Sequence, residues 1–137
     1  MSFYDWTPQL DVHVPAMNAQ HKQILRLINQ LHDETQAKVR PELIALTLGE
    51  LGRVTVAHFA AEEQHMAAIG FPKLRTHAEI HRQLLEKFRS FVRIFEQSHS
   101  LGDNFFQFLK HWLSAHIQGL DKQYSQLTID AGTGAEK

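Results

Sequence analysis

The chain has 137 residues, 43% of them hydrophobic, which suits one domain with a packed core and is short for two. Its formal net charge of -1 gives no basic footprint, so neither nucleic acid nor an anionic membrane surface is an expected partner. The chain contains no cysteine, which excludes disulfides, thiolate metal sites, iron–sulfur clusters and cysteine nucleophiles.

The first fourteen residues show no helical stripe and lack the apolar core of a signal peptide. We therefore expect an N-terminal arm packed on the rest of the domain, and a cytoplasmic protein. No window approaches 18 uncharged apolar residues, so no membrane-spanning segment is predicted.

Apolar residues recur at helical spacing in four later segments, which predicts four helices at about 15–37, 41–69, 72–97 and 103–124. Pro41 fits a first turn, Gly70 a C-terminal cap, Pro72 the restart of the chain and Asp103 an N-cap. The sequence thus predicts an all-α, antiparallel up-down-up-down four-helix bundle in one domain spanning 1–137. Within it, 1–14 is the arm, 15–124 the bundle and 125–137 a frayed tail.

Histidine is unusually frequent, at 10 residues, and every predicted helix turns at least one histidine toward its apolar face. His21, for example, lies three and four residues before Ile24 and Leu25. Unpaired imidazoles and carboxylates are costly to bury, and a metal removes that cost by taking up their lone pairs. The inward-facing candidates for metal ligands are His21, His58, Glu62, His77, His81, His116 and Asp121.

The spacing of these residues fits chelation, with one irregularity. His58 with Glu62 and His77 with His81 are i,i+4 pairs, about 40° apart around a helix, so each pair can reach one centre. His116 and Asp121 are five residues apart, which leaves them about 140° apart on an ideal α-helix. We therefore predict a π-like or broken turn near 117–121, eased by Gly119.

This ligand set resembles that of the hemerythrin family, in which the order H…HxxxE…HxxxH…HxxxxD is spread over four helices. The neighbouring residues agree, including Gln20 before His21 and Trp112-Leu113 before His116-Ile117. The resemblance covers residues 6–124, and the short chain is similar to the bacterial members. Asn18 and His13 depart from the usual bacterial pattern, which has aspartate and glycine there, but neither is a ligand position.

The resemblance implies a cofactor of two iron ions per chain (Fe2+/Fe3+) with an oxo or hydroxo bridge. His77, His81 and His116 would saturate one iron and His21 and His58 would hold the other. Glu62 and Asp121 would bridge the two. The odd number of histidines then leaves one coordination position open on one of two octahedral irons. The implied function is reversible dioxygen binding, in a carrier, storage or delivery protein rather than an enzyme.

An apolar pocket would keep proton donors away from such a site, because protonation would release peroxide and leave the site oxidised and inert. Its candidates are Phe59, Trp112, Leu113, Ile117 and, more loosely, Leu25. Dioxygen is the expected partner, and an oxygen-consuming enzyme is a further candidate. The chain is expected to be a monomer, because the four helices bury their apolar stripes against one another within the bundle.

Several other interpretations stay open at this stage. A ferritin-like di-iron enzyme would use Glu62-x-x-His65 and Glu96-x-x-His99. A hemerythrin-type iron site could also serve peroxidase or nitric-oxide chemistry, or iron buffering. A mononuclear zinc hydrolase would use His77 and His81 and leave the other inward residues unexplained. The remaining histidines are expected to be ordinary core or surface residues: His13, His32, His65, His99 and His111.

Overall fold

A computed structural model describes residues 3–124; the tail predicted at 125–137 lies outside the described residues. The described chain is an antiparallel four-helix bundle in up-down-up-down order preceded by an arm, and it contains no strand. The helices are α1 (Pro15–Gln36), α2 (Pro41–Ala68), α3 (Leu74–Ser98) and α4 (Asp103–Ala115), which continues into a π-helical segment at His116–Asp121.

The N-terminal arm is fixed to α1 by side-chain amides. Asn29 accepts a hydrogen bond from the backbone N–H of Tyr4 at 2.8 Å and donates to its carbonyl at 2.7 Å. Asn18 accepts from the N–H of Val12 at 3.0 Å and donates to Asp11 at 2.7 Å. Val12 is fully buried, so the arm contributes to the core.

Most of the predicted helix ends are found, and two need correction. Pro41 is the first residue of α2, and Gly70, at φ 68°, follows its C-cap in a Schellman arrangement closed by the N–H of Phe71 on the carbonyl of Met66 at 2.8 Å. The third helix begins at Leu74 rather than Pro72, because a turn intervenes. Asp103 is not the N-cap of α4: Gly102 takes that position without a side-chain cap.

The predicted irregularity near 117–121 is confirmed as the π-helical segment His116–Asp121. A π-helix has a wider turn than an α-helix, so residues five apart come to lie one above the other. His116 and Asp121 therefore face the same side, as the spacing required. A Cβ at Gly119 would meet nothing within 4 Å, so the turn does not depend on a steric need for glycine.

The antiparallel order divides the bundle into a polar end and an apolar end. The start of α1, the end of α2, the start of α3 and the π-helical segment meet at one end and carry the inward-facing ligand candidates. The other end holds an aromatic core that includes Phe88, Phe95, Phe105 and Phe106.

Among the described helices, α2 alone is long and apolar enough to cross a membrane by length and composition. Of that window, 44% is buried inside the bundle, and α2 carries the buried polar residues His58 and Glu62. These features are typical of a core helix of a bundle.

Candidate metal centre

All seven predicted ligand candidates meet at the polar end of the bundle, and each is buried. They come from α1, α2, α3 and the π-helical segment: His21, His58, Glu62, His77, His81, His116 and Asp121. The most exposed of them, His77, shows 3% of its surface, so the cluster is shielded from bulk water.

The cluster consists of two groups that share one residue. Glu62 with His77, His81 and His116 forms the first group, which we call the three-histidine group. Glu62 and Asp121 with His21 and His58 form the second, the two-histidine group. Within each group the candidate ligand atoms all lie within 4.8 Å of one another. Either group could therefore hold a metal ion.

Glu62 points one carboxylate oxygen at each group. Its Oε1 lies 2.8 Å from Nε2 of His81 and 3.1 Å from Nε2 of His116. Its Oε2 lies 3.2 Å from Nε2 of His58 and 3.5 Å from Nε2 of His21. The carboxylate thus stands between the two groups in the orientation that a bridging ligand needs.

Asp121 divides its two oxygens in the same way. Its Oδ1 lies 3.0 Å from Nε2 of both His77 and His116, and its Oδ2 lies 3.1 Å from Nε2 of His21. Each of the two carboxylates therefore lies close to imidazoles of both groups.

Several of these buried atoms lack a hydrogen bond among the described residues. They are both oxygens of Asp121, both ring nitrogens of His21, Nε2 of His58 and Nδ1 of His116. Asp121 and His21 are close in distance yet without hydrogen-bond geometry. Buried polar atoms are almost always satisfied. A divalent metal accepts the imidazole and carboxylate lone pairs that have no proton donor, so the residues present fit a metal centre.

When no metal is bound, the electrostatics of the cluster favour ionised carboxylates beside protonated histidines such as His116. Burial opposes ionisation of Glu62, but the surrounding histidines, first of all His116 with its hydrogen bond to Oε1, hold the pKa of this carboxyl well below its usual value. Burial would lower the pKa of His116, but the charge of Asp121 outweighs it and raises this pKa to about 10. For His58, burial dominates and lowers the pKa. The cluster thus already has the ionised carboxylates that metals bind.

Three further side chains fix the orientation of the ligand candidates. Gln20 Oε1 lies 2.6 Å from Nδ1 of His58, and Glu63 Oε2 lies 2.9 Å from Nδ1 of His81. Each acceptor leaves Nε2 of its histidine free to face the centre. The hydroxyl of Tyr124 donates to Oε2 of Glu62 at 3.0 Å.

Sequence reasoning missed two of these supporting residues. Glu63 was not among the predicted site residues, although its side chain is only 37% exposed and its carboxylate contacts His81. Tyr124 was predicted only as the end of the fourth helix. Its position three residues after Asp121, on the same side of the helix, is the signal that could have found it.

The five candidates for an apolar pocket are all buried: Leu25, Phe59, Trp112, Leu113 and Ile117. Phe59 stacks on His81 with ring centroids 3.9 Å apart, and Trp112 meets Phe59 edge-on at 5.5 Å. A surface pocket of about 400 Å³ between α3 and α4 reaches Trp112 and His116, so the centre approaches the surface on this side.

The remaining histidines lie outside both groups, as expected. His32 stacks on Phe3 at 4.3 Å, and His13 and His99 adopt left-handed backbone conformations at φ 57° and 59°. The ferritin-like set is not assembled, because Glu96 and His99 are both exposed at the end of α3. The φ of His13 also explains why glycine would suit that position.

Comparison with known proteins gives one consistent answer. Residues 12–127 match the family model described as the hemerythrin HHE cation binding domain. The chain is 32% identical over 124 residues to a bacteriohemerythrin of Pseudomonas aeruginosa, covering 90% of this chain and 80% of that protein. It is 32% identical over 121 residues to a myohemerythrin of Riftia pachyptila, covering 88% and 90% of the two chains. A crystal structure of wild-type hemerythrin superposes with a TM-score of 0.85 at 26% identity, covering 92% and 98%.

Proposed function

The chain belongs to the hemerythrin family, and we propose that it binds dioxygen reversibly at a non-haem di-iron centre. Its use would be to carry, store or deliver oxygen. In this proposal the three-histidine group holds one iron and the two-histidine group holds the other. The carboxylates of Glu62 and Asp121 would each hold both ions, together with an oxo or hydroxo group.

The observation that carries the proposal is the division of the two carboxylates between the groups. Oε1 and Oε2 of Glu62 face different sets of imidazoles, and so do Oδ1 and Oδ2 of Asp121. A single-metal site would have no use for this double arrangement. The unequal number of histidines also supports an open position on the two-histidine side.

When bound, a pair of ferrous ions with one open coordination position supplies the two electrons that reversible dioxygen binding requires. The chain's own residues hold the arrangement in place. Gln20 and Glu63 orient His58 and His81, and Tyr124 fixes one oxygen of Glu62. These contacts limit the reorganisation of the ligands when oxygen enters and leaves.

The surroundings of the centre favour a carrier over an enzyme. Apolar side chains, including Phe59, Trp112, Leu113 and Ile117, are buried at this end of α2, α4 and the π-helical segment. We propose that they form the wall of the oxygen pocket together with Leu25. Among these five side chains only the indole N–H of Trp112 can donate a hydrogen bond, and such an apolar wall slows the protonation that would release reduced oxygen and leave an oxidised centre.

The test is metal analysis of the purified protein followed by optical spectra through repeated cycles of deoxygenation and air. A carrier should contain two irons per chain and show a charge-transfer band that returns in every cycle. One zinc per chain would contradict the di-iron centre, and irreversible bleaching would contradict reversible binding.

A further inference from the structure

The apolar end of the bundle, away from the metal centre, carries an open surface groove between α2 and α3. Its volume is about 540 Å³. On α2 it runs from Ala45 to Val56, which corresponds to about 16 Å or three helical turns. Its apolar floor and walls are formed by Leu48, Gly49, Gly52, Val56, Leu85, Phe88, Val92 and Phe95. None of these residues is among the proposed metal ligands or their supporting residues.

Large apolar side chains stay exposed beside this groove. Leu46, next to its start on α2, is 71% exposed, and Val56 in its wall is 46% exposed. The sequence-based expectation that the bundle uses its apolar stripes is therefore not met on the outer face of α2. Exposed large apolar side chains next to an apolar groove are a feature of interaction sites.

Gly49 lies in the middle of α2 at the edge of the groove, where the fold itself does not require glycine. A Cβ at this position would meet nothing within 4 Å. Glycine weakens the interior of a helix relative to alanine. The missing side chain keeps the groove open and lets another backbone approach closely.

One rim of the groove is positively charged on balance, because it carries Arg89 and Arg93 while Glu96 is the carboxylate among the lining residues. Arg89 and Arg93, one turn apart on α3, line both the groove and an adjoining polar pocket. Among the described residues, no carboxylate lies within ion-pair distance of either guanidinium. Arg53 on the opposite rim differs, because Glu50 already pairs with it through Nε at 3.0 Å.

We propose that this groove docks one acidic amphipathic helix of a partner protein. The apolar side of that helix, with anchors at i, i+3 or i+4 and i+7, would lie over Gly49 and between Leu46 and Val56. Its carboxylates would pair with Arg89 and Arg93. The proposal does not rest on oxygen binding, because no residue that lines the groove is a proposed metal ligand, although Val56 lies two residues before His58.

The test uses the full metal-loaded chain and a fluorescein-labelled synthetic helix of about 15 residues, long enough to span the groove. The peptide has leucine at the anchor positions, glutamate on the flanks and alanine elsewhere. A second peptide has lysine in place of glutamate. Binding is measured by anisotropy at low and high salt, and the contact surface is mapped by amide chemical shifts.

We expect the glutamate peptide to bind roughly tenfold or more tightly than the lysine peptide, and salt to weaken it. The double variant Arg89→Glu/Arg93→Glu should invert this preference. Gly49→Leu, whose Cβ would meet nothing within 4 Å, places a larger apolar side chain at the edge of the groove and should weaken binding of the glutamate peptide roughly tenfold. The matched control, Arg26→Glu/Arg75→Glu, changes the net charge equally on exposed helix surface and should leave binding unchanged. Circular dichroism and iron content report on the fold of each variant.

Four outcomes would overturn the proposal. The first two would be that the glutamate peptide does not bind at millimolar concentration, or that the lysine peptide binds equally well. The third would be that sodium laurate displaces the peptide and binds more tightly, which would assign the groove to small amphiphilic carboxylates. The fourth would be that the chain forms dimers that Gly49→Leu abolishes, which would assign the groove to a second copy of this chain.

Discussion

The hydroxyl of Tyr124 donates a 3.0 Å hydrogen bond to Oε2 of Glu62, the oxygen that faces His21 and His58. Tyr124 is fully buried, and burial together with the charges of Asp121 and Glu62 raises the pKa of its hydroxyl. The phenol therefore stays protonated and remains a donor throughout the ordinary pH range. It holds the Glu62 carboxylate in the orientation that divides its two oxygens.

Replacing Tyr124 with phenylalanine should keep the fold and weaken metal binding. The ring fills the same volume, but Glu62 loses a donor, and changes of this kind cost about 10- to 100-fold in metal affinity. Competition with a chelator measures the effect. Tyr4→Phe, which removes the other tyrosine hydroxyl of the chain from the N-terminal arm, is the matched control. Equal affinities for the two variants would contradict a role for Tyr124 at the centre.

Replacing Glu63 with glutamine should weaken the three-histidine group in particular. The Glu63 carboxylate accepts from Nδ1 of His81 and makes that imidazole a better ligand, whereas an amide is a weaker acceptor. We expect roughly tenfold weaker binding at one of two metal sites in a Co(II) titration followed by absorption. Glu79→Gln changes the same charge in a surface pair with Arg82, and it should have no effect.

Replacing Leu113 with asparagine should shorten the lifetime of the oxygenated protein. Leu113 is fully buried, one helical turn before His116, and an amide there brings a proton donor toward the centre. The rate of autoxidation in air measures the effect. Leu31→Asn places the same amide in the apolar end of the bundle and shows how much a general loss of core packing contributes to the autoxidation rate. An unchanged rate for Leu113→Asn would show that Leu113 does not line the pocket.

The metal-free protein should lose stability as pH rises from about 6.5 to about 10. Burial opposes protonation of His116, but the charge of Asp121 raises its pKa to about 10, so the folded state binds more protons than the unfolded chain across this window. His21 and His77 shift in the same direction, because their carboxylate partners outweigh burial. Urea unfolding at several pH values measures the slope, and His116→Gln should reduce it. A flat profile for the unsubstituted protein would contradict this assignment.

Metal binding should displace the protons that these histidines hold in the metal-free protein. Ligand imidazoles must be neutral, so binding at neutral pH should release the protons held by His21, His77 and His116. Titration of the metal-free protein with ferrous iron in weak buffer, without oxygen, measures this release. Metal uptake with no proton release would contradict the assignment of these histidines as ligands.

The fold and the convergence of the seven ligand candidates could be predicted because both follow from periodicity. Apolar stripes define which face of each helix is buried, and a histidine on such a face must point inward. Even the π-helical segment was predictable, because His116 and Asp121, which are five positions apart, cannot share a face on a regular α-helix.

The supporting residues were harder to predict because they depend on how side chains reach across helices. Glu63 lies beside Glu62 on the edge of α2, and spacing alone does not show that its carboxylate turns toward His81 on α3. The groove between α2 and α3 was missed for a similar reason. Stripes on two helices show that both are amphipathic, but they do not show how closely the helices pack.

The central claim is that Glu62 and Asp121 bridge two metal ions between unequal sets of histidines. The most direct test is a crystal structure of the iron-loaded protein with anomalous scattering measured at the iron edge. We expect two iron positions per chain, one beside His77, His81 and His116 and one beside His21 and His58, with both carboxylates contacting both ions. A single iron position, or two positions that share neither carboxylate, would contradict the claim.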